Sequence, residues 1–122
     1  MAGTFSDNTL DAALNYIKTN GDRLDILSQA VTSYSQIATY TLGNKANPSY
    51  TGPVDDTSGR KITIGAISDG TVTGTGTASH YAISDGSGEL IVCQQLGNTQ
   101  VVTSGNPFTL TAFKLAIADP TA

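Results

Sequence analysis

Three side chains in the stretch "SDGTVTGTGTASHYAISDG", residues 68–86, have the types needed for hydrolysis: Ser79, His80 and Asp85. A serine nucleophile needs a base within hydrogen-bond reach and a carboxylate to orient that base. The spacing argues against such a triad. On an extended strand neighbouring side chains point to opposite faces, so Ser79 and His80 are expected to diverge. No Gly-x-Ser-x-Gly elbow occurs in the chain. In the same stretch Gly74-Thr75-Gly76 suggests a phosphate loop. A dinucleotide fingerprint needs a third glycine, a strand before it and a helix after it; here Ser79 takes the third position and β-type sequence follows. A P-loop would need Gly-Lys-Ser/Thr, which is absent.

Metal chemistry finds equally little support. Asp55-Asp56, followed by Thr57 and Ser58, could donate oxygens to Ca²⁺, but the segment lacks EF-hand spacing. One histidine and one cysteine cannot supply a structural zinc site within one chain. The lone Cys93 lies in the apolar run "ELIVCQQL", where a free cysteine behaves as a small hydrophobe. No catalytic residue, cofactor or metal is therefore assigned.

The elements around these residues are those of a β protein. A chain of 122 residues is expected to form one domain. Charged residues make up 13%, about half the usual share, and Gly, Ser, Thr and Asn take their place. Such a surface suits protein contacts, because few charges need desolvating. The net charge is −4 and the six basic residues are scattered, with only Arg60 and Lys61 adjacent. That leaves no basic stripe to neutralise phosphates, so neither nucleic acid nor an anionic membrane is an expected partner. No run approaches the roughly 20 apolar residues of a membrane span. "MAGTFSDN" has neither a basic n-region nor an apolar h-region, so no signal peptide is expected.

One helix is predicted, from about residue 7 to 19. Ser6 suits the N-cap, Phe5 and Leu10 suit a hydrophobic staple, and Asp7 complements the helix dipole. Leu10, Ala13, Leu14 and Ile17 form one apolar face, and Asn20-Gly21 supplies a left-handed stop. That face either covers a sheet or docks on a neighbouring protein. A β-rich body from about 23 to 118 follows, beginning with a strand near 23–29. A short extended piece is predicted near 37–42, then a long loop whose Tyr50, Pro53, Asp55 and Asp56 form a candidate partner contact. Strands are predicted in "RKITIGAIS", "TVTGTGTASHYAIS", "GELIVCQQL", "TQVVTS" and "FTLTAFKLAI". Asp69-Gly70, Asp85-Gly86, Gly97-Asn98, Gly105-Asn106-Pro107 and Asp119-Pro120 are the expected boundaries. "ISDG" occurs at 67–70 and at 83–86, which reads as one turn chemistry used twice. The expected fold is mainly β: an antiparallel β-sandwich or meander with one N-terminal helix.

The alternation in the long central stretch carries more information than its glycine pair. Thr71, Thr73, Thr75 and Thr77 put hydroxyls on one face, and Val72, Gly74, Gly76 and Ala78 occupy the other. A face with so little side-chain volume admits close approach by another backbone or a bulky neighbour. It belongs either to a flexible hairpin arm or to a strand lying against a partner.

Over most of its length the chain resembles a family of small structural proteins of tailed-phage and prophage virions. The resemblance runs through "FSDNTLDAALNYIKTNGDRLDI", "ATYTLGNK", "YTGPVDDTSGRKITIGAISDGTVTGTGTASHYAISDG" and "VVTSGNPFTLTAFKLAIADP". The family pattern often places Trp where this chain has Tyr81, which fills much the same space. The resemblance implies a virion component made in the host cytoplasm and no catalytic residues. Within that class the expectation is a capsid decoration or cement protein. Such a protein forms a homo-oligomer, contacts the major capsid protein and other virion proteins, and stabilises the shell by binding only its assembled state. Alternatives are a head–tail connector or tail component, a carbohydrate- or receptor-binding β module using Tyr34, Tyr40 and Tyr50, and a hydrolase using His80.

Overall fold

The computed structural model describes residues 4–119. The mainly β, antiparallel architecture holds, and the sheets curl into a half-barrel. Helix α1 (Asp7–Asn20) leads into β1 (Arg23–Leu27), α2 (Tyr34–Tyr40) and β2 (Thr41–Ala46). Strands β3 (Tyr50–Asp55), β4 (Arg60–Ile64), β5 (Ile67–Val72), β6 (Gly76–Ser84), β7 (Leu90–Val102), β8 (Pro107–Leu110) and β9 (Phe113–Ile117) complete the chain. A six-stranded sheet has the order β7-β6-β1-β2-β5-β8, and a three-stranded sheet the order β3-β4-β9. Residues 1–3 of the expected leaderless N-terminus, and Pro120 of the expected C-terminal boundary, lie outside the described residues.

The curl comes from two strand pairs that bend together. "RKITIGAIS" and "FTLTAFKLAI" are each expected as one strand, and each divides in two. β4 pairs with β9 in the small sheet and β5 pairs with β8 in the large one. Gly65-Ala66 on one side and Thr111-Ala112 on the other form the corner, between the pairs Ile64–Phe113 and Ile67–Leu110. Strands that cross from one sheet to another at such a bend close a core from two sides. At the corner the Gly65 amide donates to the Ser49 carbonyl at 2.8 Å.

Helix α1 is the predicted one, extended by one residue. Ser6 Oγ accepts the Thr9 amide at 3.2 Å, and Leu10 and Leu14 are buried. Phe5 remains 44% exposed and its amide donates to Asp119 Oδ1 at 3.2 Å, so its expected staple partner Leu10 is buried without a comparable burial of Phe5. The apolar face covers this chain's own sheet, with Leu14 in the main core beside Leu24, Ile26, Ile62, Ile64, Tyr81 and Phe108. Arg60 fastens the helix to the β3–β4 hairpin. Its guanidinium grips Asp11 through two bonds, at 2.8 and 3.1 Å, and reaches Asp55 at 2.8 Å. These carboxylates hold Arg60 well above its usual range.

The stop after α1 works differently from the left-handed cap expected. Gly21 has φ −79° and ψ 74°, and the Asp22 amide donates back to Asn20 O at 2.9 Å. This is an inverse γ-turn. Glycine is needed for space: a Cβ at Gly21 would come within 2.6 Å of the Tyr50 hydroxyl and 2.7 Å of Ile83 Cγ2.

The second helix, α2, replaces the extended piece expected near 37–42. It covers the outer face of the large sheet, where Leu27, Val31, Ile37 and Ala82 form a smaller core with Tyr34, Tyr40 and Cys93 against them. This explains Asp25. Alternation with Leu24 and Ile26 points it away from the main core, yet it is fully buried. Arg23 answers it with two bonds, at 2.9 and 3.1 Å, and the Thr41 hydroxyl donates to it at 2.8 Å. A buried carboxylate is tolerable only when paired in this way.

Candidate interaction surface

Strand geometry decides which expected site residues reach the surface. The stretch from Ile67 to Ser84 is two strands, β5 and β6, joined by a bend at residues 73–75. The inward–outward alternation survives the bend: Thr71, Thr73, Thr75 and Thr77 are exposed, and Val72 and Ala78 are buried in the main core. Gly74 and Gly76 face Leu42, whose Cδ2 would lie 3.5 and 3.4 Å from a Cβ added at either. The close approach expected on the bare face thus occurs, and the neighbour is this chain's own Leu42. Val72 and Ala78 are buried packing residues, and Gly74 and Gly76 lie half-buried against Leu42, so of the expected partner-contact strand only the two glycines retain exposed surface. The outward strip is formed by the four threonines.

The expected contact loop is a hairpin. Tyr50 opens β3, half-buried, and its hydroxyl donates to Gly21 O at 2.7 Å. Burial pushes its phenol up to about 12. Pro53 follows Gly52 at a register shift between Thr51 and Val54. Asp55 is exposed and paired with Arg60. Asp56 bonds Lys114 at 2.8 and 3.0 Å, which lowers its carboxyl. The two carboxylates therefore face different cations on different strands. Among the described residues no group of three or more His, Cys, Asp or Glu side chains is arranged to hold a metal. Tyr34 and Tyr40 sit on α2, and Tyr50 belongs to the other sheet, so the three tyrosines do not form one stacking platform.

Ser79 and His80 do meet, contrary to the divergence expected. Ser79 Oγ lies 2.8 Å from His80 Nδ1. The reason is a bulge: β6 shifts register against β7 between Ala78 and His80, and a bulged residue loses the strict alternation of a ladder. The pair still lacks the third member. Ser79 Oγ also donates to Ser28 O at 3.2 Å. A hydroxyl has one proton, so with that bond made Ser79 accepts from His80 rather than being deprotonated by it. Asp85 is occupied elsewhere, with its Oδ1 accepting the amides of Ser87, Gly88 and Glu89 at 2.9, 2.9 and 3.0 Å. Those three bonds hold its carboxyl down at about 2.

Sequence reading missed a cleft where the half-barrel stays open. Gly97-Asn98 is expected as a boundary between two strands, but β7 runs through it. Four residues of β7, Leu96–Thr99, stand opposite the single residue Ser79. This wide bulge and the corner residues 109–114 enclose about 430 Å³. Gln94, Gln95, Asn98 and Gln100 line one wall, and Phe113 and Thr111 the other. Tyr81 forms the floor, its hydroxyl donating to Gln94 Oε1 at 2.7 Å and its ring 4.9 Å from that of Phe113. Gln100 Nε2 bridges the opening to Thr109 O at 3.0 Å. The run of amides between 94 and 100 was the available signal, but only the bulge gathers them. No family model matches the chain, and no curated protein or solved structure matches it either.

Proposed function

We propose that this chain is a non-enzymatic structural protein of a tailed-phage virion, a decoration or cement protein that self-associates and binds the assembled head. The reading starts from the resemblance stated above. The observation that supports it is the outward threonine strip, with Thr71 on β5, Thr73 and Thr75 in the bend and Thr77 on β6, which exposes uncharged side chains while the Thr75 hydroxyl accepts the Ser104 amide at 3.1 Å. Such a strip docks on a protein surface with little desolvation cost and satisfies polar groups across the contact. The side chains with reactive types have structural tasks: Asp85 organises a turn, and Asp55 and Asp56 answer Arg60 and Lys114.

Replacing the exposed Thr73 and Thr77 with Lys tests the reading. We expect the variant to fold and to lose binding to isolated heads by at least tenfold, with wild-type thermal stability. Equal binding of variant and wild type would remove the strip from the contact.

A second reading is a carbohydrate-binding module, favoured by the cleft at the β7 bulge. Amides that hydrogen-bond hydroxyls beside an aromatic ring suit a neutral sugar. Glycan-array signal abolished by Asn98→Ala would establish it, and an array without signal would remove it.

A further inference from the structure

We infer that two copies of this chain join along β7, pairing the straight segment Val92–Gln95 with its counterpart antiparallel across a two-fold axis. This deepens the self-association in the proposed function and rests on that part of the reading alone. The argument begins with the four strand edges that stay free among the described residues: β7 and β8 in the large sheet, β3 and β9 in the small one. A free edge exposes unpaired amides and carbonyls, and soluble proteins block such edges with brevity, proline, charge or bulges. Three edges carry these devices. β8 has four residues and begins with Pro107. β3 contains Pro53, breaks register there and ends in Asp55. β9 has five residues and carries Lys114.

β7 is the exception. It has 13 residues, with no charge and no proline among them. Its bulges divide it. Ile91 is skipped in the pairing with β6, and Leu96–Thr99 loop out around the cleft. Between them Val92, Cys93, Gln94 and Gln95 form an unbroken ladder against Ile83, Ala82, Tyr81 and His80. Among the described residues no strand pairs with the opposite side of that ladder.

The occupant that fits is a second β7. The segment is uncharged from end to end, so self-pairing sets no like charges opposite each other, which would be destabilising across a strand pair. Antiparallel pairing of identical edges is isologous and closes at a dimer. Paired in this way, Val92 lies opposite the second copy's Gln95 and Cys93 opposite its Gln94, and the exposed Gln94 and Gln95 come close diagonally across the two-fold axis. A ladder this short buries less than the standard interface of about 1,600 Å², so the dimer should dissociate in the micromolar range.

Sedimentation velocity on the full chain, from about 1 to 500 μM around that range, reads the association directly. The wild type should show a monomer–dimer equilibrium. The Gln94→Glu/Gln95→Glu variant keeps an acceptor for the Tyr81 hydroxyl and should fold with an unchanged circular-dichroism spectrum. Its charges should weaken association at least tenfold. Mixing it with the Gln95→Lys variant, which leaves Gln94 and its bond to Tyr81 in place, should restore a dimer, an outcome that a general loss of stability would not produce. A wild type that stays monomeric throughout, or a Glu variant that associates like wild type, would overturn the inference. Both outcomes are distinct from failure of the virion reading, which is decided by the protein content of particles.

Discussion

The tetrapeptide Ile-Ser-Asp-Gly occurs twice and folds in two ways. At 83–86 it ends β6 and begins a turn: Gly86 has φ +79°, and Asp85 gathers three following amides. At 67–70 the same residues are the start of β5, and Gly70 is buried beneath the Phe108 ring. A turn was expected at both places. Local chemistry is identical, so the difference lies in what stands next to each glycine. Gly86 has open space, the nearest atom to an added Cβ being 3.9 Å away on Arg23. Gly70 sits where β5 pairs with β8, and a Cβ there would overlap the Phe108 ring. The aromatic ring claims the glycine's empty face and holds the segment extended. One glycine is used for its backbone freedom and the other for its missing side chain.

Substitutions can break this pairing of equal sequences with unequal roles. The largest effect belongs to the ring. Phe108→Ala should cost about 3–5 kcal/mol by leaving a cavity under β5, measured by chemical denaturation. Next is Gly70→Ala, which overfills the same site and should cost about 1–3 kcal/mol. Combining it with Phe108→Leu should recover part of that loss, because the two residues share one volume. Gly86→Ala has room and should cost only about 1 kcal/mol, the penalty of a left-handed residue. If Gly86→Ala proved as damaging as Gly70→Ala, the contrast between backbone freedom and space would collapse.

Smaller effects separate the two aspartates. The carboxyl of Asp85 is lowered from 3.8 to about 2 by the turn amides. A depressed carboxyl stabilises the fold above its unfolded value and ceases to do so as pH falls through its folded value. The melting-temperature difference between wild type and Asp85→Asn should therefore be constant above pH 5 and shrink between about pH 4 and 2. Asp69 bonds Lys45 on the surface, at 3.0 Å. Asp69→Ala should stay within about 0.5 kcal/mol of wild type. A pH-dependent loss at Asp69 matching that of Asp85 would mean that both copies form turns.

The same contrast marks how far the sequence could be read. Helix α1, the β content, and the turns at Asp85-Gly86 and Gly105 follow from local signals that agree with their surroundings. The alternation of threonines with small residues also reads correctly as two faces. What is lost depends on distant partners. Leu42 fills the Gly74–Gly76 face from a strand some thirty positions earlier in the chain. Helix α2 forms from "YSQIATY", whose β-branched residues favour strand locally, because Ile37 finds Leu27 and Ala82 on the outer face of the sheet. The sheet switch at Gly65-Ala66 needs its counterpart at Thr111-Ala112. The candidate surface was legible as composition, in its lack of charge, but the free edge and the bulge of β7 are visible only once strands are ordered.

The proposed function makes this chain the product of a phage or prophage, and electron microscopy of the particles purified from its source tests that assignment most directly. The proposed function predicts density for the chain at symmetric positions on the head exterior, with the Thr71–Thr77 strip against capsid and copies joined along β7. Particles that lack the chain, or carry it in trace amounts, would contradict it.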